Sequence, residues 1–266
     1  GFLQTNGGDD TGGKALRLGV GTEIVGQARS VGGAEAEEIL RSKIFENVKP
    51  EKLPTINLQD YNPRGRIEPV VLASGHYTES KSVAGYASYT GSLKFDQGLK
   101  LNGGLLYVEG DVVIEGGISG TGALVCTGSV QVKGGSDLSA AQSTAILAGG
   151  DVRLVGSGRD SSYFQGLVYA GGRGGIPGQD PDLDLQVSNI TLLGALLSNG
   201  SGSDGKGGSS EVTNASMIYD PKGVQLTFDV NLSAAVSDYD QGRSGPKLVP
   251  GRSAIQSFWD EGTQSY

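Results

Sequence analysis

A chain of 266 residues is long enough to bury a large core, either as one elongated domain or as one domain with appendages. Its 46 glycines beside six Phe and one Trp are unusual for a globular enzyme and, without a collagen period, point to tight turns between short strands. The net charge of −8 disfavours non-specific nucleic-acid binding, the single cysteine excludes an intrachain disulfide framework or a cysteine-rich metal site, and no run of about eighteen apolar residues spans a membrane.

The chain opens GFLQTNGGDD rather than with Met, which reads as a fragment whose natural N-terminus lies upstream. Residues 1–91 form an N-terminal region with one expected helix at about 34–47, AEAEEILRSKIFEN. Ile39, Leu40, Ile44 and Phe45 share one face of it, and acidic residues fill its first turn. The stretch that follows, KPEKLPTINLQDYNPRGRIEP, is punctuated by proline and should run extended over the surface.

From Ser92 the pattern changes. SLKFDQGLKLNG leads into LLYVEGDVVIEGG (Leu105–Gly117), whose grammar returns as ALVCTGSVQVKGG (Ala123–Gly135) and AILAGGDVRLVGS (Ala145–Ser157). Leu106, Leu124 and Ile146 fall in one column. Val108, Cys126 and Ala148 form the next, then Val112, Val130 and Val152, then Ile114, Val132 and Leu154. Between these apolar columns the residues are mixed, as when one face of a strand is buried and the other is wet. Gly110, Gly128 and Gly150 break each copy into two strands with a corner between them.

Such a repeat cannot bury its apolar face alone and needs similar neighbours above and below, which is the logic of a solenoid. Parallel crossovers are nearly always right-handed, so the expected fold is an all-β, right-handed parallel β-helix over residues 92–225, with the short N-terminal helix capping an open end. An antiparallel meander would also alternate, but it would not need the same residue class in the same column at each repeat.

GLVYAGG (Gly166–Gly172) and GALLSNG (Gly194–Gly200) read as a further pair of rungs. RGGIPGQDP is a loop extruded between them, and DLDLQVSNITLL alternates as a strand. SDGKGGSSEVTNASMIYD begins as a Gly/Ser loop and ends as a strand. Residues 226–266 are expected to pack as strands on the solenoid.

The chemistry-bearing residues are sparse. His76 is the sole histidine, too few for a triad or a histidine metal cluster, and reads as an ordinary loop or strand residue. Cys126 falls in an inward column and reads as a small buried hydrophobe. Asp180, Asp182 and Asp184 alternate in GQDPDLDLQ and form a calcium candidate, set against a solvated acidic loop. Glu115 and Lys133 look like a cross-rung charge pair. N-x-S/T triplets at Asn189, Asn199, Asn214 and Asn231 matter only where the source glycosylates them. The tyrosines, Tyr107 among them, would form a binding stripe if exposed; the alignment of Tyr107 with Val125 and Leu147 places that column beneath a covering segment. No catalytic residue and no other cofactor is assigned.

Beyond these residue-level readings, LLYVEGDVVIEGGISGTGALVCTG followed by FQGLVYAGG, GALLSNG, NASMIYDP and SFWDEG resembles the extracellular part of PilX-type type IV pilus accessory proteins. The matching positions are Gly166 to Ala170, then Gly194 to Leu196, then Tyr219 and Asp220, then Trp259 to Glu261, over roughly Gly103 to Glu261. The resemblance implies a non-enzymatic, minor-pilin-like module on the cell surface or pilus. An upstream helix would anchor it, with other pilus subunits as partners and glycan, protein or DNA as ligands. The fragment itself would make no membrane contact. The alternatives are a carbohydrate-active β-helix enzyme, which carboxylates gathered near Arg153 or Arg159 would favour, and a free adhesin.

Overall fold

The columns read from the sequence are the register of a sheet. In the computed structural model Leu106 pairs with Leu124 and Leu124 with Ile146, while Val112 pairs with Val130 and Val130 with Val152. The structure describes residues 2–5, 7, 14–49, 56–64, 68–134, 144–158, 161–172, 176, 183–199 and 208–218.

In chain order the strands begin with β1 (Phe2–Thr5), β2 (Leu16–Leu18), β3 (Glu23–Val25), β4 (Gln27–Ser30), β5 (Ala34–Ala36) and β6 (Ile44–Phe45). The series continues with β7 (Val70–Val71), β8 (His76–Tyr77), β9 (Lys81–Thr90), β10 (Leu93–Phe95), β11 (Leu99–Glu109), β12 (Val112–Ile114) and β13 (Ile118–Cys126). It ends with β14 (Val130–Lys133), β15 (Thr144–Ala148), β16 (Val152–Val155), β17 (Tyr163–Ala170), β18 (Leu183–Ser198) and β19 (Ser209–Ile218). All pairings among these described strands are parallel, and the fold is an all-β parallel solenoid.

Each turn supplies two strands. β8 with β9 is followed by β10 with β11, β12 with β13, β14 with β15 and β16 with β17, and β18 runs through both positions of its own turn. Inward columns such as Phe95, Ile114, Val132, Leu154 and Val187 are fully buried. Each such side chain contributes about 1.5–3 kcal/mol of burial, which no single turn could collect by itself. Where a strand turns the corner, backbones of adjacent turns meet: Gly194 has φ 145°, and a Cβ there would lie 1.9 Å from the carbonyl oxygen of Gly166. Only glycine fits that approach.

The turn after β18 is assembled from two distant parts of the chain. β19 covers β18 from Leu183 to Leu193, and β1 covers it from Ala195 to Ser198, so Ile218 and Phe2 flank the single position opposite Gly194. β2 and β3 then stack on β19, β4 stacks on β1, and β5 and β6 form the last turn on β2 and β4. Parallel pairing thus takes in strands on both sides of the central repeats.

The helix expected over 34–47 is corrected. That segment is β5, a 3-10 helix at Glu38–Lys43 and β6; Leu40 is buried, whereas Ile39 is 79% exposed. Pairing to β2 and β4 satisfies the backbone of its two ends, and this tertiary gain outweighs a helical propensity worth tenths of a kcal/mol per residue.

Of the proline-punctuated connector, residues 48–49, 56–64 and 68–69 are described, with a 3-10 helix at Leu58–Tyr61. Val48 N donates to Ser30 O beside β4, Leu58 lies against Gly149, and Arg64 reaches Ser88 and Thr90 on β9. From β4 to the β15 corner is four strand spacings, about 19 Å at ~4.8 Å each, and ten residues extend to about 33 Å. Residues 56–64 form a strap that lies against the outside of the column.

Candidate functional site

Three features of the column are candidates for function. The first is the strap's seat. Outside the central core, Leu105, Tyr107, Val125, Leu147, Tyr169 and Leu197 form a second buried apolar layer, against which Ile56, Leu58 and Tyr61 pack. The Tyr107 column therefore lies under a covering segment, as its alignment with Val125 and Leu147 indicated. Burial, helped by the adjacent Asp60 carboxylate, pushes the Tyr61 phenol up to about 12.

Polar contacts fix the strap's lower end. Arg64 Nη1 donates to Thr90 Oγ1 at 2.7 Å and Glu109 Oε2 at 3.2 Å, and its Nε donates to Ser88 Oγ at 3.2 Å. Asn62 Nδ2 donates to the other Glu109 oxygen at 3.3 Å. Glu109 was visible as an outward residue; its partner Arg64, 45 positions away, had no local signal.

The second feature is a polar ladder on the face formed by β8, β10, β12, β14, β16, β18, β19, β2 and β5. One of its columns runs His76, Lys94, Val113, Gln131, Arg153, Gln186, Glu211, Arg17 and Glu35. His76 lies in β8, with Nε2 2.7 Å from Asp96 Oδ2, and Lys94 Nζ sits 2.8 Å from Asp96 Oδ1. Lys94 first and His76 second hold the Asp96 carboxyl below the usual carboxylate range, and Asp96 in turn raises Lys94. Lys133 and Glu115 form the expected cross-rung pair at 3.5 Å. Arg153 stands between Gln131 and Gln186, with the nearest carboxylate of its column two strands away at Glu211.

Cys126 is buried, as its column required. Its Sγ donates to Gly128 O at 3.1 Å, and desolvation, with the Asp111 charge second, raises the thiol far above its ordinary range.

Of the acidic triplet, Asp180 and Asp182 lie outside the described residues. Asp184 is fully buried at a bulge, where Leu183 and Leu185 pair with the consecutive Ser209 and Ser210. Ser198 Oγ donates to its Oδ2 at 3.3 Å. A Cβ on Gly172 would stand 2.7 Å from the carboxyl carbon and one on Gly208 2.0 Å from Oδ2, so the group fills a slot between two glycine backbones. Among the described residues no three His, Cys, Asp or Glu side chains gather as a metal site. Arg159, Asn231, Tyr219, Asp220 and the Trp259–Glu261 element also lie outside the described residues, as does the 226–266 segment.

The third feature, which sequence reading missed, is the split turn itself. β1 is inserted between β18 and β4 and paired on both edges, with Leu3, Gln4 and Thr5 buried. Thr5, Ser198 and Ser30 share a column of small buried polar residues there. The four residues FLQT do not repeat the pattern of the central rungs, and their partners on one edge, Ala195 to Ser198, lie more than 190 positions away.

No known protein-family model matches the chain, and no curated protein matches it in sequence.

Proposed function

We propose that this chain is a non-enzymatic β-solenoid module of a type IV pilus or related pilus system, minor-pilin-like, displayed at the cell surface. In this reading the column winds right-handed, as parallel crossovers do. An upstream helix anchors the module to other pilus subunits, and its outer faces meet glycan, protein or DNA.

The observation that carries the reading is the place of β1. A strand at the start of the chain is built into the interior of the column, with hydrogen-bonding partners on both edges. A helix joined upstream of Phe2 would connect to the solid body through a strand paired on both edges. Tension on that helix would load β1 in shear against β18 and β4. This suits a subunit that hangs from an N-terminal anchor and must resist pulling.

The test uses the full gene product in its source bacterium. The reading expects the protein in the surface-pilus fraction released by shearing, and loss of that surface pool when the peptidase that matures pilin leaders is deleted. Release into the medium regardless of that peptidase would overturn it.

A further inference from the structure

The exposed large hydrophobic side chains among the described residues are confined to the two ends of the column. Val70 and Val71 lie on the first turn, at 64% and 62% exposure, and Val20, Val25, Ile39 and Phe45 lie on the last two. In the turns between, the outward large apolar side chains of the described residues, such as Val113, Val155 and Leu193, are only partly exposed or lie under the strap. An apolar surface restricted to solenoid ends marks the ends as contact surfaces.

The two ends also match in register. Following the pairings from β7 upward, Val70 shares its column with Ala87, Leu106, Leu124, Ile146 and Val168, and the same column continues through Leu196, Leu3 and Ala28 to Ile44. Val71 and Phe45 share the neighbouring column. β7 and β6 are both two-residue apolar strands, each paired on one edge with its other edge unpaired among the described strands. Because the sheet is parallel throughout, a second copy placed above the first would present β7 to β6 in the same parallel sense.

From these matched ends we infer that copies of this chain associate head to tail, β6 of one stacking on β7 of the next, with Ile44 against Val70 and Phe45 against Val71. The contact is heterologous, so it does not close on itself and extends into a linear stack. β5 and β8 also share columns, with Glu35 in the column of His76, but the first turn reaches β7 before β8. Stacking β6 on β7 therefore leaves a strand's width between β5 and β8. The interface is small, and the association belongs to the weak class below about 1,200 Å² of buried surface.

Sedimentation velocity on the 266-residue chain, from micromolar to millimolar concentration, reads the association. The wild type should show a mass that rises with concentration. Phe45→Glu, which blocks the upper end, and Val71→Lys, which blocks the lower, should each remain monomeric, with association shifted at least about tenfold upward in concentration. An equimolar mixture of the two variants retains one intact upper and one intact lower end, and should form a 1:1 dimer and nothing larger. Circular dichroism spectra matching the wild type establish that both variants fold. A wild type that stays monomeric throughout, variants that associate as it does, or a mixture that stays monomeric while the wild type associates would each overturn the inference.

Discussion

Asn214 donates a hydrogen bond from its side-chain amide to Oδ1 of Asn189 at 2.8 Å, and both residues hold the left-handed backbone conformation, with φ 47° and 55°. They occupy the same corner of successive turns, and Gly21 follows at the next, where a Cβ would lie 2.9 Å from Asn214 Oδ1. Asparagine tolerates this conformation because its short amide can bond locally, and stacking turns that bond into a ladder. Asn214→Ala should lower stability by about 1–3 kcal/mol, combining the lost bond with left-handed strain. Asn214→Gly should cost less, since it relieves the strain. Urea denaturation of the two variants gives the comparison, and equal losses would show that the corner conformation is not maintained in solution.

Glycine corners differ in what they exclude. Gly194→Ala would drive a methyl into the Gly166 carbonyl and force two turns apart, so a loss of roughly 3 kcal/mol or more is expected, at or beyond the upper end for ordinary overpacking. Gly85 also has positive φ, 64°, but no atom lies within 4 Å of its Cβ position. Gly85→Ala should cost only the backbone term, about 1–2 kcal/mol. Thermal unfolding of the pair separates close approach from conformation, and a similar melting point for both would contradict the stacked corner.

The strap should respond to alkali. The Tyr61 phenol is raised from 10.0 to about 12 by burial, so its neutral form belongs to the seated strap. A raised folded-state value means this contribution is complete below about pH 10 and is lost as pH climbs through 12. Amide exchange in residues 56–64 should accelerate over that window, and Tyr61→Phe should remove the step. Unchanged pH dependence in the Phe variant would sever the link.

At the strap's lower end, Arg64 and Glu109 are partly exposed, and their ion pair is worth about 1 kcal/mol or less. Arg64→Ala should therefore leave the melting point nearly unchanged while making the connector several-fold more sensitive to protease. A large drop in global stability would show that the strap's hold on β9 and β11 governs the whole column.

Cys126 should be inert in the folded protein. Its thiol is buried and held protonated, so a disulfide reagent at neutral pH should label it only at the rate of unfolding. Rapid stoichiometric labelling without denaturant would place it outside the core.

The central repeats were legible because their signal is local. Leu106, Leu124 and Ile146 recur with neighbours of the same class, and the register follows those columns residue for residue. Gly166 opposite Gly194 was readable for the same reason. The ends were not. β2 spans three residues; its partners on one edge, Ser210 to Val212, lie at the far side of the sequence, and those on the other, Ala34 to Ala36, are too short a run to repeat the central pattern. The apolar spacing of Ile39, Leu40, Ile44 and Phe45 imitates a helix, although the first two lie in a short 3-10 helix and the last two form β6. Asn189 and Asn214 stand out in the sequence as N-x-S/T triplets, whereas in the fold they hold equivalent corners, 25 residues apart. Asp184 alternates with its acidic neighbours in sequence, but nothing in that pattern announces the bulge opposite Ser209 and Ser210 at which it is buried.

The most direct test of the account is the amide exchange of β1 measured by NMR in the folded chain. If the N-terminal strand completes the turn between β18 and β4, the backbone amides of β1 that bond within the sheet should be protected to the same degree as those of Ala195 to Ser198, and should open together with them. Exchange of residues 2–5 at the rate of an unstructured peptide, with β18 still protected, would contradict the split turn and the anchoring role built on it.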